Sequence, residues 1–217
     1  MDIKEIILRT ASLHETADFY GQKLGFKQVY RDAATLKYAA GTSILSFTED
    51  VNCGQPVYHF AFNIPENQLE QAIAWADGKL NLIPVTAESV VAGFEHWNAD
   101  AIYFYDNNGN LLEFIARHDL ENISTVRFSA GSVLCISEIG IVCEAVSSFA
   151  DELMDNYQLP VFSKQPRQDN FTVMGDDHGL LILVEQGRNW FPSKVPAGRF
   201  PMEIYLDDHI CIPVETK

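Results

Sequence analysis

Residues 5–26 read EIILRTASLHETADFYGQKLGF, and their order decides the fold. Ile3 to Arg9 has the apolar, β-branched character of a strand. Ser12-Leu13-His14-Glu15 then has the Ser-x-x-Glu form in which serine and glutamate cap a helix start reciprocally. Leu13, Ala17, Tyr20 and Leu24 recur at helical spacing, and Gly25 stands where a left-handed C-terminal cap is needed. Short strands are predicted near Lys27 to Arg31, Thr35 to Ala39 and Ser43 to Phe47, with Ala40-Gly41-Thr42 as a turn. The unit is β-α-β-β-β.

The same order restarts at Val57 to Ile64. Pro65 opens a second helix, with Leu69, Ala72, Ile73, Ala76 and Leu80 on one face. Two strands, Ala101 to Tyr105 and Leu111 to Ala116, flank Asp106-Asn107-Asn108-Gly109-Asn110, and Asn-Gly is a strong hairpin signal because both residues tolerate positive φ. A third unit runs from a strand at Cys135 to Val142, through a helix carrying Val146, Phe149, Ala150 and Leu153, to a hairpin of Phe171 to Met174 and Leu180 to Glu185. Pro201 to Leu206 starts a fourth unit that the chain lacks the residues to finish. The polar stretch 118–132 predicts a boundary between residues 1–120 (units 1–52 and 55–120) and residues 121–217. The residues from Gly187 to Gly198, with Trp190 and Phe191, read as a long loop.

The 217 residues are 47% hydrophobic and 21% charged, close to the soluble globular average, and no apolar run reaches membrane-spanning length. No secretory signal pattern opens the chain, so a cytoplasmic location is expected. Thirty acidic against fifteen basic residues give a formal charge of −15, which repels phosphate backbones and anionic lipid. Nucleic-acid and membrane partners are not expected. Cys53, Cys135, Cys143 and Cys211 form no CxxC pair and read as reduced structural thiols.

In sequence the first unit resembles the opening module of the vicinal-oxygen-chelate superfamily, which includes glyoxalase I, bleomycin resistance proteins and extradiol dioxygenases. YHFAFNI (residues 58–64) and AIYFYDNNGNLLEF (residues 101–114) resemble its second module. The resemblance covers residues 1 to 118 well, 133 to 186 less well, and little beyond. It implies an α+β fold of paired β-α-β-β-β modules forming curved mixed sheets around a cleft, the second pair being degenerate and truncated. It also implies one divalent metal (nickel, zinc, manganese, iron or cobalt) on Glu5, His59 and Glu113. A fourth ligand found in glyoxalase I would fall near Leu45 or Ser46, neither of which serves.

Strand alternation places Glu5 with Ile3, Ile7 and Arg9, His59 with Val57, Ala61 and Asn63, and Glu113 with Leu111, Ile115 and Arg117. The opposite faces, with Ile6 and Leu8, Phe60 and Phe62, and Leu112 and Phe114, are apolar and suited to packing helices, so the mixed faces should line the cleft. Taken singly, Glu5 reads as a solvated charge on an edge strand, His59 as a half-buried histidine, and Glu113 as the partner of Arg9 or Arg117. Together, two carboxylates and an imidazole suit a divalent metal with open positions.

The resemblance therefore implies a metal-dependent enzyme acting on a small substrate with adjacent oxygens, of glyoxalase or epimerase type, a lyase or isomerase. Glu113 or Glu5 would be the base. Arg9, Asn63, Tyr103, Trp97 and Arg117 are the substrate-binding candidates, with His96 at the cleft mouth and His14 supporting a helix cap. The alternatives are a metal-free drug- or metabolite-binding protein of bleomycin-resistance type and an extradiol ring-cleavage dioxygenase, the latter disfavoured because Glu5 replaces a histidine. In the third and fourth units, Glu138 matches Glu5 and Glu203 matches His59, but the closing strand offers only Leu183 or Val184, which implies a degenerate cleft. The unfinished fourth unit leaves a sheet edge and with it a possible homodimer.

Overall fold

The computed structural model describes residues 1–52, 54–207 and 210–215; Cys53 lies outside them. The first unit comprises β1 (Ile3–Thr10), α1 (Leu13–Ala17), β2 (Lys27–Arg31), β3 (Thr35–Ala40) and β4 (Ser43–Glu49). Ser12 Oγ accepts the Glu15 N–H at 3.3 Å, and Gly25 ends the helical segment with φ 78°, a conformation costly for a residue with a Cβ. Between them the helix widens over Asp18–Lys23 into a π-helical stretch, which the 3.6-residue spacing did not foretell.

The second unit comprises β5 (His59–Ile64), α2 (Leu69–Ala76), β6 (Val91–Phe94), β7 (Ala99–Tyr105) and β8 (Leu111–Arg117). Helix α2 ends before Leu80 because Asp77 turns to extended backbone and Gly78 takes φ 69°. The third unit contains β9 (Cys135–Cys143), α3 (Val146–Tyr157), β10 (Phe171–Asp176) and β11 (Gly179–Glu185). The fourth contains β12 (Met202–Leu206) and β13 (Ile210–Val214), the latter not expected from the sequence.

The units do not pair in sequence order. β5 pairs antiparallel with β9, which joins the second unit to the third; β1 pairs antiparallel with β12, which joins the first to the fourth. The inner sheet thus runs β6-β7-β8-β5-β9-β11-β10 and the outer one β2-β3-β4-β1-β12-β13, with β1 and β9 meeting where Ile3 registers on Ile136. The sheet crosses the boundary expected at residue 120. The stretch after β8 packs onto α2: Gln71 Oε1 accepts the Phe128 N–H at 3.2 Å, and the Phe128 ring packs edge-on against Trp75.

The alternation argument holds along the inner strands. Phe60, Phe62, Leu112 and Phe114 belong to the core on the helix side, with Ala72, Ala76, Ala150 and Leu153. Ala61, Leu111, Ile115 and Tyr103 belong to a second apolar cluster on the other side, with Ile182 and Trp190. Burying rings such as Phe60, Phe62 and Phe114 is worth about 1.5–3 kcal/mol each relative to exposure and fixes the register, since a one-residue slip would exchange the faces. Among the described residues no helix is long and apolar enough to cross a membrane. The three described cysteines are free thiols.

Candidate metal centre

A cavity of about 550 Å³ opens on the second face, over β5, β8 and β9, with His59, Glu113 and Glu138 among its lining. One ligand-capable atom from each of these three buried residues lies within 4.8 Å of the other two. Glu113 on β8 and Glu138 on β9 are both registered opposite Ala61 of β5, and His59 lies two residues along β5 on the same face.

Local chemistry prepares each group. The Leu111 carbonyl can only accept, so the 3.0 Å contact at His59 Nδ1 places the ring proton there. Nε2 is left with its lone pair, 3.8 Å from Glu113 Oε2. Burial pulls the His59 pKa down to about 4, so the ring is neutral at physiological pH. Burial and the neighbouring Glu138 push the Glu113 carboxyl well above its ordinary value, while Arg117 opposes them and the Tyr103 hydroxyl donates to it. Burial also raises Glu138, against the Arg117 guanidinium, whose Nη2 is bonded to Glu138 Oε1.

Two adjacent buried carboxyls and an unprotonated imidazole nitrogen are a donor set for a divalent ion of the manganese-to-zinc series. Buried carboxylates cost several kcal/mol each unless compensated, and Arg117 balances only one of two. The residues therefore fit a metal.

The structure does not bring Glu5 to this place. It lies in the outer sheet, where Oε1 accepts from Lys37 Nζ at 2.7 Å and from Ser46 Oγ, so a lysine partner answers its charge. Glu203, nearby on β12, accepts from the Tyr205 hydroxyl at 2.9 Å. Arg117, a substrate-binding candidate, is fully buried and supports Glu138 from behind; its Nε donates to Ser137 Oγ at 3.2 Å and its Nη1 lies 3.7 Å from Asp177 Oδ1. Arg9 and Asn63 lie outside the cavity lining; the Arg9 N–H donates to Tyr58 Oη, and Asn63 is buried on β5. Tyr103, Trp97 and His96 do line it. His14 is exposed on the first helix itself, 3.5 Å from Asp18.

Two lining residues came without warning from the long loop before β12. The Trp190 ring packs on His59 with centroids 4.9 Å apart, and Phe191 meets Tyr103 edge-on. Trp190 can reach His59 because β9 has Gly140 beneath it: a Cβ there would stand 2.4 Å from Trp190 Cη2. Arg188, two residues before Trp190, lines the same cavity.

No protein-family model and no curated protein matches the sequence. Solved structures do match in shape. A Bacillus subtilis protein proposed to be a dioxygenase superposes over 92% of this chain with TM-score 0.62 and 16% identity, and this chain covers 65% of it. A glyoxalase/bleomycin resistance protein/dioxygenase from Alicyclobacillus acidocaldarius matches over 57% of this chain and 96% of its own, with TM-score 0.46 and 19% identity. A fosfomycin resistance protein from Listeria monocytogenes, solved with Mn(II), matches over 55% of this chain and 90% of its own, with TM-score 0.42 and 18% identity. The chain shares its fold with the Bacillus protein and spans just under two thirds of that protein's length.

Proposed function

We propose that the chain is a divalent-metal-dependent enzyme of glyoxalase or epimerase type, a lyase or isomerase acting on a small substrate with adjacent oxygens. The observation that carries this reading is the convergence of His59, Glu113 and Glu138, with a bare imidazole nitrogen among them, in the lining of a cavity of small-molecule size. A bound metal would supply Lewis acidity toward the substrate oxygens. The chain's own residues do the rest. Leu111 orients His59, Arg117 holds Glu138, and Trp190 and Phe191 pack against His59 and Tyr103. Glu113 is the group placed to move a proton, since its carboxylate meets the Tyr103 hydroxyl and burial raises its proton affinity.

Two readings compete. Arg117 already lends Glu138 a positive charge, which favours metal-free binding of a drug or metabolite. Ring-cleaving dioxygenase chemistry is less well served, since the usual set of two histidines and a carboxylate is here one histidine and two carboxylates.

The test is elemental analysis of protein purified without chelator, beside His59→Ala. Stoichiometric metal in wild type and none in the variant supports the proposal and directs the search to 2-oxoaldehyde–thiol adducts and acyl thioesters. A wild type that stays metal-free after reconstitution overturns it in favour of the binding protein.

A further inference from the structure

The cavity's composition says more about its ligand than the metal centre does. Six of its fifteen described lining residues are flat and apolar: Phe94, Trp97, Tyr103, Phe171, Trp190 and Phe191. Its acids are Glu95, Glu113 and Glu138, and the one arginine or lysine among its described lining residues is Arg188. In a chain with twice as many acidic as basic residues, that arginine makes no ion pair among the described residues. Its guanidinium lies 4.4 Å from the centroid of Phe171, so the ring supports its stem and flat face while its edge donors stay unclaimed. Lys164, the nearest comparison, is fully engaged by Asp119 and Asp177 at 2.7 Å each. A second donor is also idle: Trp190 is buried and its Nε1–H has no acceptor among the described residues.

We propose that this cavity takes an aromatic carboxylate, whose ring lies among the cavity's own rings and whose anionic group pairs with Arg188. A planar guanidinium stacked on a ring presents parallel donors to a carboxylate, and the aromatic walls give a flat apolar body its burial. The inference deepens the proposed function by naming the substrate class, and it rests on the same cavity, though Arg188 acts with or without a metal.

The experiment measures binding of benzoate, phenylphosphonate and the neutral benzyl alcohol by calorimetry and tryptophan fluorescence, on metal-loaded and chelator-treated protein. The variants are Arg188→Gln and Arg188→Lys. Arg188 is exposed, so both variants should melt like wild type. Benzoate should bind more tightly than benzyl alcohol in both preparations. Arg188→Gln should weaken benzoate roughly tenfold or more, leave benzyl alcohol unchanged, and Arg188→Lys should restore part of the loss. Equal affinity for benzoate and benzyl alcohol, an unaffected Arg188→Gln, or a preference for phenylphosphonate over benzoate would overturn the proposal. Arg188-dependent benzoate binding in a protein that never takes up metal would uphold this inference while removing the metalloenzyme reading.

Discussion

Glu113 and Glu138 face each other across a single methyl group: each is the direct neighbour of Ala61, one on β8 and the other on β9. No larger side chain stands between two carboxyls that burial has stripped of water, and that crowding is what a cation would relieve.

The identity of the third ligand is therefore open to a direct comparison. Glu138→Gln is expected to abolish stoichiometric metal uptake, whereas Glu5→Gln should leave it intact and cost about 0–1 kcal/mol, as for a part-exposed ion pair. Metal analysis and urea unfolding of both variants decide the matter; loss of metal from Glu5→Gln alone would return the site to the first unit.

Arg117 bears on stability before chemistry. Arg117→Met leaves Glu138 buried without its guanidinium and should destabilise the metal-free protein by about 3–5 kcal/mol. Excess divalent metal should recover part of that loss, because a ligand that binds only the folded state adds to its stability. A variant as stable as wild type in chelator would show that Glu138 is compensated some other way.

Gly140→Ala tests the seat of Trp190. The added methyl would collide with the indole ring, so the loop must lift, at about 1–3 kcal/mol for overpacking. The expected signs are a red-shifted tryptophan emission and a lower melting temperature. Unchanged emission would mean that β9 can retreat instead.

The pH dependence carries two opposed signs. Glu113 and Glu138 hold their protons above the ordinary value of 4.5, so their contribution to stability is present at low pH and is lost as pH rises through their folded-state values. His59, pulled from 6.5 to about 4, contributes above 6.5, and that contribution is lost as pH falls through about 4. Above the ordinary carboxyl value of 4.5 these two groups slope downward, so the melting temperature of metal-free wild type should fall with rising pH relative to that of Glu113→Gln. Saturating metal should remove the slope by taking the place of the protons. Parallel wild-type and Glu113→Gln profiles would contradict the assignment.

Much of this was legible in the residues. Ser12, Gly25 and Asn108-Gly109 mark element ends through local chemistry, and alternation along Phe60, Phe62, Leu112 and Phe114 sorts the two faces without knowledge of their neighbours. His59 and Glu113 followed because they lie on parallel strands of one unit. Glu138 was visible as the match of Glu5, but which of the two joins His59 depends on which first strand meets β5. β1 and β9 are of similar length, 8 and 9 residues, and both carry an apolar face, so nothing local distinguishes them as a partner. Lys37 and Arg117 hold what clue there is: one supplies a charge to Glu5, the other to Glu138. Trp190 and Arg188 were hidden because a loop's landing place is set by a gap elsewhere, here at Gly140.

The pairing of β5 with β9 inside the pairing of β1 with β12 gives the chain a nested closure. The strands that carry His59, Glu113 and Glu138 come from one unbroken run, residues 59–143, whereas β1 must find β12 across almost 200 residues. Loop-closure entropy favours the shorter contacts first. The outer strands then act as a clasp fastened around a centre already assembled, and damage to the clasp should loosen the molecule's rim before it disturbs His59, Glu113 and Glu138.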